Sequence, residues 1–273
     1  MNRTGLIVAL GVAVIAGLAF GLYPDLDLRV ARHFYENIDA SHNVFAWRYS
    51  PPLMQARDLG LRVSVVLVAP AIVVLALKLF LPRRKMLMSG RAVLFLIATM
   101  VLGPGLLVNV GLKEHWGRPR PVDVTQFGGD QHFVAWWDPR GDCPKNCSFV
   151  SGDVAGAAWT LAPAALAPPQ WRALAYGAAL VFTAGMATYR VMAGGHFVSD
   201  TIFAGVFTFL VIWIVHGLIY RWPRTRLTDR TVEGTIERVA RPGYDVVVGL
   251  FGGGKKRPSG GARKPPRKRN RRA

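Results

Sequence analysis

Cysteine and acidic residues are scarce in this chain. Among 273 residues there are 16 Asp and Glu against 34 Lys and Arg, which gives a formal charge of +18. The two cysteines are Cys143 and Cys147. A zinc site needs four ligands and no neighbouring residues supply the rest, so a zinc centre is not expected. In an oxidising compartment this pair predicts a small disulfide loop instead.

Charge is nearly absent from six long apolar runs, 4–23, 61–81, 91–112, 149–168, 171–192 and 197–220. A bilayer core about 30 Å thick needs about 20 apolar residues per helical crossing. A signal peptide is the alternative for the first run, but its apolar core is typically about 7–15 residues and no clear cleavage site follows. We therefore expect an all-α polytopic membrane protein, with six transmembrane helices within residues 1–222.

The short loops predict the orientation of these helices. Loop 82–91 carries four basic residues and no acid, whereas loop 24–60 holds four arginines against five acids. Because loops rich in Lys and Arg stay on the cytoplasmic side, loop 82–91 and both termini are expected in the cytoplasm. Segment 113–148 and the turn at 193–196 are then expected on the outer face.

Two thirds of the net charge lies in the C-terminal segment. From Arg221 onward there are sixteen Lys and Arg against four Asp and Glu. We expect an interfacial helix within 223–250, capped by Thr228, and a disordered basic tail over 251–273, because such a Gly- and Pro-rich sequence buries too little apolar surface to fold. Nucleic acid is one candidate partner for the tail, but beside a membrane anionic lipids are favoured and no nucleic-acid role is predicted.

Three polar clusters stand at the predicted outer ends of the spans, where ionisable residues indicate function. The first is KEHWGRPRP, 113–121, in which Lys113, Arg118 and Arg120 bring three cations together. Taken alone, it also fits a basic belt at the lipid head groups.

The second cluster is FVSGDVAGA, 149–157, at the start of the fourth span. Ser151, Gly152 and Asp153 stand where a helix begins, and the first N–H groups of a helix are free to bind a phosphate oxygen. An ordinary helix cap by Ser151 or Asp153 is the alternative.

The third cluster is YRVMAGGHFVSD, 189–200. Arg190 ends the fifth span, His196 begins the sixth, and Asp200 follows four residues later on the same helical face. The Asp200 carboxylate can then accept the Nδ1 proton of His196 and direct Nε2 outward, as a nucleophile or base requires. A polar pair that joins two helices is the alternative. Together, the cations, the helix start and the oriented histidine suit phosphoryl transfer.

The spacing of these clusters resembles the three-part signature of the phosphatidic acid phosphatase type 2 superfamily, the lipid phosphate phosphatases. The matching residues run Lys113-x6-Arg120-Pro121, then Ser151-Gly152, then Arg190-x5-His196-x3-Asp200, within roughly 90–220. The resemblance implies a membrane phosphatase that needs no metal or other cofactor and forms a phosphohistidine. His196 is then the nucleophile and Asp200 its orienting partner. The implied phosphate-binding residues are Lys113, Arg120, Ser151, Gly152 and Arg190.

The second motif departs from the family pattern, which usually reads Pro-Ser-Gly-His and whose histidine protonates the leaving oxygen. Here Val150 and Asp153 stand at its first and last positions, and Tyr189 replaces the serine that usually opens the third motif. An ordinary aspartate, with a pKa of about 3.9, is ionised and cannot donate a proton. Three hypotheses follow: burial raises the pKa of Asp153 so that it donates a proton; His115 or His132 substitutes for the missing histidine; or the leaving group needs little protonation.

The loop over 122–148 is long and aromatic, with Phe133, Trp136 and Trp137 suited to anchor it at the interface or to cover a sugar ring. We predict an envelope lipid substrate, met at the periplasmic face of a bacterial inner membrane. Lipid A phosphate is favoured, and undecaprenyl pyrophosphate and phosphatidylglycerophosphate are the alternatives. A lipid phosphotransferase and a non-catalytic binder or transporter also remain open, although span centres almost free of polar residues disfavour transport.

Overall fold

The computed structural model describes residues 3–39 and 42–251, which are mostly helical, as predicted. The helices are α1 Arg3–Leu22, α2 Asp25–Arg32, α3 Pro51–Phe80, α4 Gly90–His115, α5 Gly152–Ala158, α6 Leu161–Leu166, α7 Pro169–Met192, α8 Val198–Arg221 and α9 Asp229–Phe251. Short 3₁₀ turns cover Ala46–Tyr49, Pro121–Asp123 and Thr125–Phe127. The all-α prediction missed one antiparallel hairpin, formed by β1 Tyr35–Asp39 and β2 His42–Phe45.

Within the described residues, four helices are long and apolar enough to cross a membrane: α1, α3, α4 and α8. Large apolar side chains cover their outer surfaces, among them Ile15 on α1, 71% exposed, and Val66 on α3, 66% exposed. Such surfaces belong in contact with lipid, because a soluble domain rarely exposes so much apolar area. The chain is an integral membrane protein. The other two predicted spans correspond to two short helices, α5 and α6, and to the less apolar α7.

Helices α5 and α6 lie at the centre of the bundle. Their small side chains are buried, with Ala155, Ala158 and Ala162 fully covered, and α5 packs against α3, α7 and α8. Between them the buried Trp159 donates from Nε1 to the Thr99 hydroxyl on α4, at 2.9 Å. Alanine allows helices to approach closely, so this alanine-rich run is surrounded by protein and sets the first turn of α5 among the neighbouring helices.

Two helices depart from the regular form expected of them. Helix α3 begins at Pro51 rather than near residue 61, because the Pro51-Pro52 pair suits the first helical turn. Helix α4 widens to π-helical turns over Val101–Leu112, where Pro104 lacks an N–H group. The Asn109 side chain donates to the Pro104 carbonyl at 2.8 Å. These departures bring the first turns of α3, and Asn109, to the first turn of α5.

Segments predicted to share the outer face pack together. Leu28 of α2, Phe45 of β2, Phe127 of the long loop and Phe197 before α8 form one buried cluster. The loop is held further by backbone bonds, in which the Ser148 N–H donates to the Arg118 carbonyl at 2.8 Å.

The opposite end of the bundle joins α9 to α3 and to the start of α4. The buried Lys78 ammonium pairs with Glu233 at 3.0 Å, and the Asp229 carboxylate accepts the Arg91 N–H at 3.0 Å. Thr228 caps α9 as predicted, since its hydroxyl accepts the Thr231 N–H at 3.1 Å. The predicted tail covers 251–273, and all of it after Phe251 lies outside the described residues.

Candidate active site

His196 lies in a tight turn between α7 and α8. Gly194 has a φ of +60°, in the left-handed region that favours glycine. A Cβ at Gly195 would lie 2.7 Å from the Arg190 Cζ, so only glycine leaves room for that guanidinium. The turn therefore folds the Arg190 side chain back against the residue next to His196. His196 itself is buried, with 1% of its surface exposed.

The orientation of His196 differs from the predicted one. Its Nδ1 lies 2.7 Å from the Ser148 carbonyl oxygen, whereas the Asp200 carboxylate is 4.0 Å away. A carbonyl oxygen can only accept, so Nδ1 carries the proton and Nε2 keeps its lone pair. The expected tautomer is present, but a backbone carbonyl supplied by the long loop holds it.

Asp200 acts on the histidine through a neighbour. Its carboxylate accepts the Ser148 hydroxyl at 2.6 Å and the Phe197 N–H at 2.9 Å. The first bond fixes the residue that holds His196, and the second closes the first turn of α8. The buried Asp200 thus positions the histidine indirectly.

Arg118 is the residue that balances Asp200. The guanidinium is fully buried and donates to the carboxylates of Asp200 and Asp27, the latter at 2.8 Å, and to the Ser199 hydroxyl at 2.8 Å. Asp27, on α2, also accepts the Ser199 N–H at 3.0 Å. This cation, counted with Lys113 and Arg120 in the sequence, therefore joins α2 to α8 and is not free to bind phosphate.

The second motif forms a compact corner against α4. The Ser151 side chain caps α5 by accepting the Val154 N–H at 3.4 Å. A Cβ at Gly152 would lie 2.7 Å from the Asn109 Oδ1 and 3.5 Å from the Lys113 Nζ. Glycine at 152 therefore lets the Lys113 ammonium lie directly beside the start of α5, as the predicted phosphate-binding set requires.

The disulfide loop contacts both Arg120 and Lys113. Cys143 and Cys147 are bonded to each other, with Cα atoms 5.7 Å apart. Inside the loop Asn146 has a φ of +53°, which asparagine tolerates better than most residues. Its carbonyl accepts the Arg120 Nη2 at 2.7 Å, and the Cys147 N–H donates to the Lys113 carbonyl at 2.9 Å. The loop thereby fixes the backbone of one phosphate-binding candidate and the side chain of another.

Asp153 is an ion-pair partner of two arginines. Its Oδ2 atom lies 2.7 Å from the Arg57 Nε, on α3, and 3.3 Å from the Arg190 Nε. Two guanidinium groups at this range stabilise the ionised carboxylate. The hypothesis that Asp153 is a protonated acid is therefore not favoured by its surroundings.

The cations of this corner act on the histidine. Burial lowers the pKa of His196 well below its ordinary value, and the charges of Arg190, Arg120 and Lys113 lower it further, against a smaller opposite effect of the Ser148 carbonyl. His196 is therefore neutral near pH 7, with a lone pair on Nε2. A neutral nitrogen beside several cations is suited to attack an anionic phosphate.

The two histidines considered as substitutes, and Trp136 of the long loop, each have a partner of their own. His115 is exposed and its Nδ1 contacts the Gly111 carbonyl at 2.9 Å, while the exposed His132 pairs with Asp142 at 2.8 Å. Trp136 stacks on Phe203 of α8, with ring centroids 4.3 Å apart, so it anchors the loop to the bundle. Both histidines are therefore engaged by partners outside the second motif.

The chain is similar to known proteins that share one family. The family described as the PAP2 superfamily matches residues 91–225. A lipid A 4'-phosphatase of Francisella tularensis subsp. novicida is 36% identical over 226 residues, which cover 81% of this chain and 98% of that protein. The chain belongs to the PAP2 superfamily. The resemblance seen in the sequence is confirmed.

Two shorter matches carry the same name. A lipid A 4'-phosphatase of Rhizobium leguminosarum is 42% identical over 109 residues, 39% of this chain and 46% of that protein. One of Rhizobium etli is 41% identical over 104 residues, 38% of this chain and 40% of that protein. No solved structure matches the chain.

Four residues at this PAP2 site were not singled out from the sequence: Asp27, Arg57, Asn109 and Ser148. Asp27 and Arg57 lie in a segment that was considered only for its loop charge, far from the motifs in the chain. The paired prolines before Arg57 were the available signal for an earlier start of α3. Among the described residues, 3–39 and 42–251, no three His, Cys, Asp or Glu side chains are grouped to hold a metal ion, and metal independence stays a prediction.

Proposed function

We propose that this chain is a lipid A 4'-phosphatase that works through a phosphohistidine. The main observation in support is the buried His196, whose Nδ1 is fixed by Ser148 and whose Nε2 lone pair is free. The cations Arg190, Arg120 and Lys113 lie near it. Membership of the PAP2 superfamily supports the reaction. The relative from Francisella, matched over 98% of its length and named for that activity, supports the substrate.

The proposed reaction has two steps. The Nε2 atom of His196 attacks phosphorus, an N–P bond forms, and the bond from phosphorus to the sugar oxygen breaks. That oxygen takes up a proton from solvent water. A second water molecule then attacks phosphorus and gives up a proton to the hydroxide left by the first. The N–P bond breaks, and inorganic phosphate leaves with the histidine regenerated.

Each residue has one proposed task. Arg190, Arg120 and Lys113 neutralise the phosphate, and Ser151 and Gly152 offer the hydroxyl and backbone N–H groups at the start of α5. Asp200 positions His196 through Ser148. Asp153, between two guanidinium groups, organises cations instead of donating a proton.

We further propose six crossings, a bacterial inner-membrane location and an active site on the periplasmic side. Loop 82–91, rich in basic residues, contacts α9, and both fit the cytoplasmic side. The site lies at the opposite end of the bundle. The basic residues after Phe251 suit anionic lipids of the cytoplasmic leaflet on charge alone.

The decisive experiment is phosphate release by purified protein in EDTA. Lipid A, undecaprenyl pyrophosphate and phosphatidylglycerophosphate are compared as substrates, with His196→Ala as the inactive control. We expect release from lipid A alone, absent in the variant, and acid-labile labelling of the wild type by ³²P-lipid A.

Release from another lipid would overturn the substrate, and activity that needs added metal would overturn the mechanism. Turnover that requires a second lipid as acceptor would identify a phosphotransferase.

A further inference from the structure

Arg57 lies outside all three motifs yet forms part of the same site. It stands on the early turns of α3, and its Nε is 2.7 Å from the Asp153 Oδ2. About a third of the side chain, 32%, remains exposed. A second contact, from Nη1 to the Asp58 carboxylate, is long at 3.4 Å. The guanidinium is therefore firmly held on one edge, with N–H groups left for a ligand.

The same carboxylate oxygen binds a second guanidinium. The Asp153 Oδ2 lies 3.3 Å from the Arg190 Nε, and that nitrogen is buried without a hydrogen bond. Two arginines that share one carboxylate oxygen are held close together, although their like charges repel each other. Asp153 therefore fixes the spacing of Arg57 and Arg190.

Charge at this corner is unbalanced. Asp153 is shared among the cations Arg57, Arg190, Lys113 and Arg120. Asp58 also faces Arg57, and Glu114 faces Lys113, so the four cations outnumber these three carboxylates. A phosphate monoester carries up to two negative charges, and arginine binds phosphate with paired N–H groups. The excess of cations suits that anion, and Arg57 is the cation nearest to Asp153.

We propose that Arg57 is a phosphate-binding residue of this site and that Asp153 holds Arg57 and Arg190 side by side on the phosphate. This inference rests on the proposed function. It also gives a reason for an aspartate after Ser151-Gly152, since a histidine there could not join two guanidinium groups by charge.

The test measures phosphate binding separately from lipid turnover. Wild type, Arg57→Gln, Arg57→Lys and Arg62→Gln are titrated with inorganic phosphate by calorimetry in detergent, and kcat and KM on lipid A are measured in parallel. Arg62 is exposed on the same helix and is the matched control. Thermal unfolding curves identify any variant that has lost its fold.

We expect Arg57→Gln to raise the Kd for phosphate at least tenfold and to raise KM. Arg57→Lys should lie between it and the wild type, because lysine keeps the charge but loses the planar pair of donors. Arg62→Gln should match the wild type.

Wild-type affinity in folded Arg57→Gln or Arg57→Lys protein would overturn the inference even if lipid A is hydrolysed, and so would a wild type that binds no phosphate. If the wild type binds phosphate through Arg57 but releases none from lipid A, the proposed function fails and the role of Arg57 stands.

Discussion

Two arginine–carboxylate clusters flank His196, and they differ in their balance of charge. In the first, one guanidinium, Arg118, lies between two carboxylates, Asp27 and Asp200, all fully buried. In the second, one carboxylate, Asp153, lies between two guanidinium groups, Arg57 and Arg190, which are partly exposed. The residue types are the same but the ratios are inverted.

This difference in charge ratio distinguishes a cluster that supports the fold from one that can bind a ligand. A buried guanidinium with two carboxylates and a serine hydroxyl has its donors satisfied, and it has no capacity for an added anion. A carboxylate shared by two guanidinium groups leaves donors and positive charge for a ligand. Position in the motif does not reveal this difference. Arg118 and Arg120 are two residues apart, yet Arg118 is part of the framework and Arg120 is a proposed phosphate-binding residue.

Loss of Arg118 should have the largest effect and should act on stability. In Arg118→Met two buried carboxylates lose their partner, which typically costs about 3–5 kcal/mol. We expect the free energy of unfolding to fall by that order, with little folded protein recovered. Thermal unfolding in detergent, followed by circular dichroism, measures the loss.

Arg190→Met is the matched variant in the second cluster. It should reduce kcat/KM by about 10²–10³, as for loss of a donor to developing charge, while the unfolding temperature changes little. If both arginines change stability equally and activity equally, the distinction between the clusters is wrong.

Asp153→Asn should have an intermediate effect, confined to activity. Arg57 and Arg190 lose the charge that holds them together, and misplacement of binding groups by about 1 Å costs roughly 10²-fold at most. We expect kcat/KM to fall about 10- to 100-fold with the shape of its pH profile unchanged. A lost basic limb in the variant would instead identify Asp153 as a proton donor.

Much of the arrangement was predictable from the sequence. Four apolar runs matched helices able to cross a membrane, and the motif spacing brought Lys113, Ser151, Arg190 and His196 to one end of the bundle. These features depend on local composition and on helical periodicity, which a single sequence displays directly.

The partners of these residues were not predictable, because they come from distant segments. The rule that residues four apart share a helical face placed Asp200 near His196, but the Nδ1–H group donates to the Ser148 carbonyl, 48 residues away in the chain. Similarly, Arg118 became a buried framework residue only because Asp27, 91 residues away, reaches it. Burial and long-range pairing, which no local pattern specifies, decided both roles.

The pH dependence of activity should show the effect of the nearby cations on the pKa of His196. His196 must be neutral to attack, so kcat/KM falls as the pH falls through its pKa. Since burial and the nearby cations hold that pKa well below its ordinary value, the acid limb should lie below about pH 6.5.

Arg120→Gln removes one of these cations and should move the acid limb to higher pH, by about half a unit. Arg140→Gln, an exposed arginine of the same loop paired with Asp138, is the control and should leave it in place. Ionisation of the substrate phosphate is common to all three proteins and cancels in the comparison. An unshifted limb in Arg120→Gln would mean that Arg120 lies too far from His196 to act on it.

The smallest expected effect concerns the disulfide loop that positions Arg120. In the Cys143→Ser/Cys147→Ser double variant the loop no longer fixes Asn146, whose carbonyl holds Arg120. Loss of so short a closed loop should cost about 2 kcal/mol of stability. The loss of Arg120 positioning should raise KM two- to fivefold, with kcat unchanged because Ser148 still holds His196.

Wild-type protein treated with dithiothreitol should match the double variant, which the reductant should not alter. A fall in kcat with unchanged KM would place the influence of the loop on the Ser148–His196 bond, since Cys147 directly precedes Ser148.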